Sequence, residues 1–387
     1  MRKIHLLYLI PSLENSGGME RVLTHKVNFL IKTNNYIITI ITTDMADDAH
    51  SFFELDSSIN LVKFKLFFNE KFNLPIIDKI FETHALLKTY KNFLTIFIKE
   101  NNVDICISMG AKDLEFLYKI DLPCKKIFEA HFSKGIRTRM LFAIKGNALH
   151  WRIIAKIREL QNNIQTKKLD KVIVLTEKSR RDWEISNSNI AVIPNPSSFK
   201  TTYEFPEHDS KRVIAIGRLE FEKGFDLLIQ AWESVRTIYP DWKLNIFGDG
   251  TQKNNLEYLI DKFNLSDSVL LKGTTDNVSK ELLNSSFLVL SSRFEGMPMV
   301  MLESMACGLP MVAFDCETGP SELIENNDCG FLVDNGSVNM LSEKIIVMIR
   351  NKEKRLSMSN CAKIKSENYN IDKIMEKWEN LFLTLAK

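Results

Sequence analysis

Short apolar runs alternate with amphipathic stretches along almost the whole chain. Such runs are typical of strands in a parallel sheet, because both faces of that sheet are covered. In the first half they predict strands at Ile4–Ile10, Ile37–Thr42, Leu61–Phe64, Ile105–Ser108, Lys126–Glu129, Lys171–Leu175 and Ala191–Ile193. In the second half they predict strands at Arg212–Ile216, Leu244–Phe247, Val269–Lys272, Phe287–Ser291, Met311–Phe314 and Gly330–Val333. Helical patterns separate them, as at Met19–Lys32, Gly224–Tyr239 and Gln252–Phe263.

This alternation of strands and helices predicts parallel sheets, because a helix carries the chain back before the next parallel strand begins. The segment 194–210 is polar and contains three prolines, so we place a linker there. We therefore predict an α/β chain of two Rossmann-like, doubly wound domains, 1–200 and 211–370, that face a central cleft. An amphipathic helix over 371–387, with Trp378 and Phe382 on its apolar stripe, is expected to pack back onto the first domain.

Composition indicates a soluble protein. The chain has 387 residues, which suits two domains, and 45% of them are hydrophobic while 26% are charged. The six cysteines show no metal-ligand spacing, and we expect them to be reduced and mostly buried. The N-terminal apolar stretch contains His5 and precedes no small-residue cleavage site, which favours a strand over a secretory signal. No run approaches the ~18 apolar residues of a membrane span, so we expect a cytoplasmic protein.

The net charge of +2 conceals an asymmetry between the halves. Residues 1–200 carry 30 Lys and Arg against 21 Asp and Glu, whereas residues 201–387 carry 21 against 28. The segment 134–171 alone contains ten basic residues against Glu159 and Asp170, interleaved with apolar side chains. This pattern predicts a helix on the anionic inner face of the cell membrane, although a solvated basic face over a core stripe is the ordinary alternative. No nucleic-acid-binding motif accompanies the charge, so we expect no nucleic acid partner.

Two loops of the second half combine glycines with features of a phosphate site. The loop Gly217–Gly224 follows a predicted strand and brings two cations, Arg218 and Lys223, which are suited to a diphosphate. Gly248 lies in a second tight turn between a strand and a helix. Solvated surface cations and a purely structural turn are the ordinary alternatives.

The third loop is the most informative segment of the chain. It carries Glu295, and the helix that follows carries Glu303, with seven residues between them. Pro298 lies near the first turn of that helix and Gly308 ends it. A helix N-terminus attracts anions, and carboxylates accept hydrogen bonds from hydroxyls. Because loops after parallel strands meet at one edge of a sheet, the three loops predict a nucleotide-sugar site.

These segments resemble those of the retaining glycosyltransferases of family 4, which have the GT-B fold. The resemblance is carried by GRLEFEKG, FGDG and SSRFEGMPMVMLESMACGLPMVAFD in that order, and by the spacing of Glu295 and Glu303, which matches the family's E-x7-E signature. In the first half, the segments starting at Gly17, Val172 and Ile193 are similar to segments of the family. The resemblance covers nearly the whole chain and is loose between residues 44 and 125.

The resemblance implies the activity. The chain would be a hexosyltransferase that moves a sugar, with retention, from a nucleotide-sugar to a saccharide acceptor in surface polysaccharide, O-antigen, capsule or glycolipid synthesis. The acceptor is expected to be lipid-linked. The donor is expected to be a UDP-hexose or UDP-N-acetylhexosamine, because the region Thr318–Glu322 resembles that of UDP-sugar enzymes.

The resemblance also assigns roles to residues of the second half. Arg218 and Lys223 would hold the diphosphate, with Gly248 beside them. Glu303 would accept hydrogen bonds from the ribose hydroxyls, and Glu295 would contact the transferred sugar. The backbone N–H groups near the helix start would share the charge of the phosphates; this stretch comprises Met297, Pro298, Met299 and Val300.

In the first half, the resemblance implies three further site residues. Gly17 and Gly18 would let their loop approach the phosphates or the acceptor. His131 would be the active-site histidine near the sugar, although a structural histidine at a strand end is the ordinary alternative.

Several questions stay open at the level of the sequence. The chain contains no Asp-x-Asp motif, which argues against a metal-dependent transferase, so we expect no cofactor and no metal. Retention could proceed through Glu295 as nucleophile or by attack on the same face as the leaving phosphate. A catalytically silent nucleotide-sugar-binding subunit is the alternative to an enzyme. A dinucleotide-dependent oxidoreductase is disfavoured, because no G-x-G-x-x-G follows the first strand.

Overall fold

The structure is a computed structural model that describes residues 2–68, 70, 75–110, 112–146, 148–200 and 204–386. The side chains of residues 76, 77, 137, 144 and 145 lie outside this description. Residues 201–203 of the predicted linker, and the side chains of Arg137 and Lys145 in the predicted basic segment, therefore lie outside the described residues. The chain divides into two compact units, Met1–Ile193 with Met375–Lys387, and Pro194–Ile374.

The first unit is built on a parallel sheet that has seven strands within the described residues, in the order β3-β2-β1-β4-β5-β6-β7. The strands are β1 (Ile4–Ile10), β2 (Tyr36–Thr42), β3 (Asn60–Lys63), β4 (Ile105–Ser108), β5 (Lys125–Ala130), β6 (Lys171–Val174) and β7 (Ile190–Val192). The helices are α1 (Gly18–Lys32), α2 (Ile76–Glu100), α3 (Ile136–Lys145), α4 (Leu149–Lys167) and α5 (Glu177–Glu184).

The second unit repeats this architecture with a parallel sheet of six strands, again counted over the described residues, in the order β10-β9-β8-β11-β12-β13. Its strands are β8 (Arg212–Ile216), β9 (Lys243–Phe247), β10 (Val269–Leu271), β11 (Phe287–Leu290), β12 (Met311–Asp315) and β13 (Gly330–Asp334). Its helices are α6 (Phe225–Ile238), α7 (Lys253–Lys262), α8 (Val278–Leu283), α9 (Met299–Ala306), α10 (Pro320–Leu323), α11 (Val338–Arg350) and α12 (Lys352–Ser366). The last helix, α13, spans Ile371–Leu385.

The predicted pair of doubly wound parallel sheets is confirmed, and its cause is visible in the packing. The central strands are apolar at nearly every position, and those side chains are almost completely buried on both faces. Helix α6 covers one face of the second sheet with Leu228, Ile229, Trp232 and Val235, all fully buried. These residues recur at the spacing of one helical face, so the apolar period determines which side of α6 meets the sheet.

The order of strands reverses once in each sheet. Strands β2 and β4 flank β1 in the first sheet, and β9 and β11 flank β8 in the second. In a parallel sheet the loops on either side of such a reversal diverge and leave a crevice at the carboxyl edge. The candidate residues of the second half follow β8, β9 and β11, so they share this edge.

The units divide between Ile193 and Pro194, at the first residue of the predicted linker 194–210. Asn195 already belongs to the second unit, because its side-chain amide donates to the carbonyl of Met297 (3.3 Å). The backbone N–H of Ser197 likewise donates to the carbonyl of Tyr369 (2.8 Å). The chain returns to the first unit at Met375, within α13, where the rings of Phe382 and Tyr36 meet edge to face.

A close approach of two loops makes Gly248 a strict requirement of the second unit. Its φ is +142°, and a Cβ built there would lie 1.9 Å from the carbonyl oxygen of Gly217. The contact holds the loop after β9 against the loop after β8, which carries Arg218 and Lys223. Only glycine leaves room for this approach.

We expect Gly248→Ala to lower the melting temperature of the protein far more than Gly336→Ala. Gly336 also has a positive φ (+81°), but among the described residues nothing lies within 4 Å of its built Cβ. Replacing Gly336 with alanine should therefore lower the free energy of unfolding only by the cost of a left-handed backbone at a non-glycine residue, roughly 1–2 kcal/mol. Thermal unfolding of the two variants measures the difference, and equal losses would contradict the steric role of Gly248.

Candidate functional site

The loop after β8 places the cations of the second unit. It forms a short 3₁₀ turn over Phe221–Lys223 and then reaches Gly224, which has a φ of +63° and precedes α6. A Cβ on Gly224 would lie 2.1 Å from the carbonyl oxygen of Ser291, at the end of β11. The hydroxyl of Ser291 donates to the carbonyl of Lys223 (3.0 Å). These contacts join the loop of Lys223 to the loop of Glu295.

Lys223 and Glu295 form an ion pair across these two loops. The Nζ atom of Lys223 lies 2.6 Å from Oε1 of Glu295, and the hydroxyl of Ser292 donates to the same oxygen (2.7 Å). The side chains are only 21% and 10% exposed, so water screens the pair weakly. The structure thus brings together the residue predicted to hold the diphosphate and the residue predicted to contact the sugar.

Arg218, the other predicted phosphate ligand, lies in a different environment. Its guanidinium donates to Oε1 of Glu222 (2.7 Å), one helical turn along the loop, and its side chain is 56% exposed. An exposed pair of this kind contributes about 0.2–1 kcal/mol, so an incoming anion can take over the guanidinium at little cost. Arg218 is therefore a movable cation, whereas Lys223 is fixed by Glu295.

Helix α9 begins directly after Pro298 and supplies the anion-attracting end that the sequence predicts. Met299 and Val300 are its first residues, and their N–H groups precede the helical hydrogen-bond ladder. Glu303 lies one turn further on, where it is 2% exposed. Met297 precedes the helix and is almost completely buried, which fixes the direction in which the helix starts.

Sequence reasoning missed three residues that hold this loop in place. Arg293 donates to both carboxylate oxygens of Asp226 (2.8 and 2.6 Å), and its guanidinium lies 4.2 Å from the centroid of the Phe221 ring. The hydroxyl of Thr318 donates to the carbonyl of Glu295 (2.9 Å). Asn195 holds the carbonyl of Met297, as described above. All three residues lie in segments that resemble the family, but their partners could not be read from the spacing, because the contacts span 23 to 102 residues.

The two glycines of the first unit begin α1. Gly17 caps the helix and Gly18 is its first residue. The backbone of Gly17 has a φ of −71°, which any residue adopts, but a Cβ there would lie 2.2 Å from the carboxylate of Glu20. The carboxylate is the end of a flexible side chain and can move, so neither backbone strain nor a fixed neighbour requires a glycine at this position.

His131 immediately follows β5 and is 8% exposed. Its Nε2 atom lies 3.2 Å from Oε1 of Glu129, although the ring nitrogen is not aligned for a hydrogen bond. The other oxygen of Glu129 accepts a short hydrogen bond from Lys26, on α1. Both members of this ion pair are 1% exposed. Sequence reasoning identified His131 but missed the pair behind it.

Charge neutralisation keeps Glu129 ionised inside the first unit. Burial alone would raise the pKa of Glu129, but Lys26 and His131 outweigh this effect and lower the pKa to about 2. Burial in turn lowers the pKa of Lys26, and the charge of Glu129 partly offsets that change.

One group of side chains in the described part of the chain could hold a metal ion. It consists of Asp328, Cys329 and Cys361, whose ligand atoms lie within 4.8 Å of one another. Cys329 precedes β13 and so lies at the amino edge of the second sheet, opposite the edge that carries the candidate loops. The ammonium group of Lys365 lies 3.5 Å from Asp328 and competes with a cation there.

The helices of the described residues offer no segment with both the length and the apolar composition needed to cross a bilayer.

Comparison with known proteins agrees with this geometry. Residues 201–365 match the family model of the glycosyl transferases group 1. The chain is 30% identical to an uncharacterized glycosyltransferase of Haemophilus influenzae, over 98% of this chain and 100% of that protein. It is 27% identical to the amylovoran biosynthesis glycosyltransferase AmsD of Erwinia amylovora, over 97% and 99% of the two chains.

A solved structure shows the same fold. Staphylococcus aureus TarM, determined as a variant in complex with fondaparinux, alpha-GlcNAc-glycerol and UDP, matches with a TM-score of 0.76 and 20% identity. The match covers 99% of this chain and 100% of that chain. The predicted GT-B fold is thereby confirmed.

The pKa of Glu129 predicts how stability depends on pH. A depressed carboxyl pKa contributes stability above its usual value of 4.5, and this contribution is lost as the pH falls toward 2. Between pH 4.5 and pH 2, we expect the free energy of unfolding of the wild type to fall by roughly 3 kcal/mol relative to that of the double variant Lys26→Met/Glu129→Gln. Denaturant unfolding at a series of pH values measures this difference. A constant difference between the two proteins would contradict an ionised Glu129.

Proposed function

Since the chain belongs to the glycosyl transferases of group 1, we propose that this enzyme transfers a hexose, with retention, from a UDP-sugar to a saccharide acceptor that is linked to a lipid. The observation that carries the proposal is the ion pair between Lys223 and Glu295 beside the start of α9. The cation and the helix N-terminus are suited to the negatively charged diphosphate of a nucleotide-sugar. The carboxylate is suited to the hydroxyls of its sugar.

Binding of the donor would exchange the partners of Lys223. In the free enzyme its ammonium neutralises Glu295. A diphosphate that takes up the ammonium would leave Glu295 free to accept hydrogen bonds from the sugar. Donor binding would in this way prepare both groups at once, and the hydroxyls of Ser292 and of the sugar would then donate to the carboxylate in place of Lys223.

The same groups would stabilise the leaving nucleoside diphosphate. When the bond from the anomeric carbon to the phosphate oxygen breaks, negative charge develops on that oxygen. Lys223, Arg218 and the N–H groups of Met299 and Val300 would meet this charge, and such stabilisation is usually the largest catalytic contribution. We therefore propose that catalysis needs no metal ion, in keeping with the lack of an Asp-x-Asp motif in the sequence.

Glu303 and His131 complete the proposal. Glu303 would accept hydrogen bonds from the ribose hydroxyls, one helical turn from the phosphates, and His131 would contact the transferred sugar. The preference for UDP has the support of TarM, whose structure contains UDP. The relative AmsD acts in amylovoran biosynthesis, which supports a role in polysaccharide synthesis.

We further propose that α4 binds the anionic surface of the membrane that holds the acceptor. Five large apolar side chains along this helix are 51–71% exposed: Leu149, Ile153, Ile157, Leu160 and Ile164. Their spacing places them on one side of the helix. Arg152, Lys156 and Lys167 border this stripe and would meet the lipid phosphates. The sequence alone does not separate this exposed stripe from a core stripe under a basic face, because both give similar patterns of basic and apolar residues.

The proposed donor site predicts the outcome of three substitutions. Lys223→Ala should lower kcat/KM about 100- to 1,000-fold, the range seen when one group that stabilises developing charge is removed. Lys223→Glu should be worse than Lys223→Ala, because it repels the diphosphate. Glu303→Gln should raise the KM for the donor and leave the fold intact. Lys262→Ala, which removes an exposed lysine of α7, serves as the control, and a loss as large as that of Lys223→Ala would contradict the assignment.

The membrane surface is tested by liposome co-sedimentation with increasing anionic lipid. Ile157→Asn and Lys156→Ala should both weaken binding, the latter by about 1 kcal/mol or five-fold. Arg158→Ala removes an exposed basic residue from the far side of α4 and should change binding little. If the protein binds liposomes equally well at every anionic lipid content, or does not bind them, the proposal is refuted.

A further inference from the structure

The buried ion pair of Lys26 and Glu129 lies in a part of the first unit that is otherwise packed with apolar side chains. Helix α1 packs against the sheet with an apolar stripe formed by Val22, Leu23, Val27 and Leu30, all nearly inaccessible to water. Lys26 occupies the same stripe and is 1% exposed. An apolar side chain at this position would pack without any desolvation cost, and replacing buried ion pairs by apolar residues is often neutral or stabilising.

Three elements converge on the ammonium group of Lys26. Glu129 of β5 accepts its hydrogen bond. The ring of Trp378, on α13, lies with its centroid 4.0 Å from Nζ, and the ring of Tyr8, on β1, lies 5.1 Å away. Trp378 is 2% exposed and Tyr8 is completely buried, so these cation–π contacts are shielded from water. The ammonium is therefore held in one position by groups from distant parts of the chain.

The fixed carboxylate of Glu129 faces His131 with its second oxygen, at 3.2 Å from Nε2. A carboxylate beside one ring nitrogen favours the proton on that nitrogen, and it leaves the other nitrogen as an acceptor. A slight rotation of the ring would align Nε2–H with Glu129. The same arrangement orients the histidines that bind metals in other proteins.

We propose that Glu129 and Lys26 are positioning residues for His131, and that Trp378 of the C-terminal helix holds Lys26 in place for this purpose. The functional part of this inference rests on the proposed function, which gives His131 its contact with the sugar. The structural part concerns the imidazole ring alone. The alternative is that the ion pair only stabilises the packing of α1, β5 and α13.

Spectroscopy of the imidazole tests the structural part without any assay of transfer. In protein labelled with ¹⁵N-histidine, at a pH where the ring is neutral, long-range ¹H–¹⁵N spectra distinguish the two tautomers. We expect His131 in the wild type to carry its proton on Nε2, and Glu129→Gln to give a mixture of tautomers. Identical His131 signals in the two proteins would overturn the proposal.

Two variants of α13 separate positioning from packing. Trp378→Leu and Phe382→Leu each remove a buried ring from the same helix, but the described contacts with Lys26 involve Trp378 and not Phe382. Trp378→Leu should shift the His131 signals, and Phe382→Leu should leave them in place. Equal shifts in both variants would show that packing alone is responsible.

Kinetics test the functional part. Glu129→Gln and Lys26→Met should lower kcat about 10- to 100-fold, the range for outer partners of oriented histidines, with the donor KM unchanged. If Lys26→Met fails to fold, Glu129→Gln carries the test, because it keeps the volume and a hydrogen-bonding group. Unchanged kcat in a folded variant with altered His131 signals would refute the functional part. A wild-type kcat in the His131→Gln variant would instead refute the role of His131 in the proposed function. The ¹H–¹⁵N spectra would still show whether Glu129 and Lys26 orient the His131 ring.

Discussion

Parallel pairing of β8 with β9 on one side and β11 on the other is the constraint on which the proposed donor site depends. It places the carboxyl ends of three strands side by side, so that Lys223, Gly248 and Glu295 share one edge although they are far apart in the sequence. Close backbone contacts then fix the loops against each other. Gly248 and Gly224 permit these contacts because neither carries a Cβ.

Three lysine and arginine side chains of the two candidate regions form ion pairs with carboxylates. Lys223 is neutralised by Glu295, Arg218 by Glu222 and Lys26 by Glu129. Exposure then distinguishes their roles. In the second unit the side chains of Arg218 and Lys223 are 56% and 21% exposed, so both cations are within reach of an anion from solvent. The pair of Lys26 is inaccessible and can act only through the groups it touches, which is why we assign it a positioning role.

The fold could be predicted from the sequence because buried parallel strands are apolar at successive positions. Strands β1, β4 and β8 were predicted at their observed bounds, and the ends of the others within one residue. Helix α2 was missed, since apolar residues occur on all of its sides and leave no amphipathic period. The contacts of Asn195 and Ser197 within the second unit could not be predicted, because their partners, Met297 and Tyr369, are distant in the sequence.

The candidate site could be predicted only in part, for a similar reason. Glycines, cations and carboxylates at strand ends gave the three loops, and resemblance gave their roles. The partners of those residues could not be predicted, because each lies on another element: Lys26 is 103 residues from Glu129, and Lys223 is 72 from Glu295. One signal was available for Lys26. It is a lysine within an otherwise apolar helical stripe, and such a break in local pattern often marks a functional position.

The proposed function requires that the loops of the second unit bind a nucleoside diphosphate sugar without a metal ion. Thermal shift measurements over a panel of UDP- and GDP-sugars, each with and without a chelator, test it most directly. We predict that a UDP-hexose raises the melting temperature equally in both conditions, with a stabilisation of about 2.7 kcal/mol at 100 times its Kd. A shift that disappears with the chelator, or no shift with any nucleotide-sugar, would contradict the account.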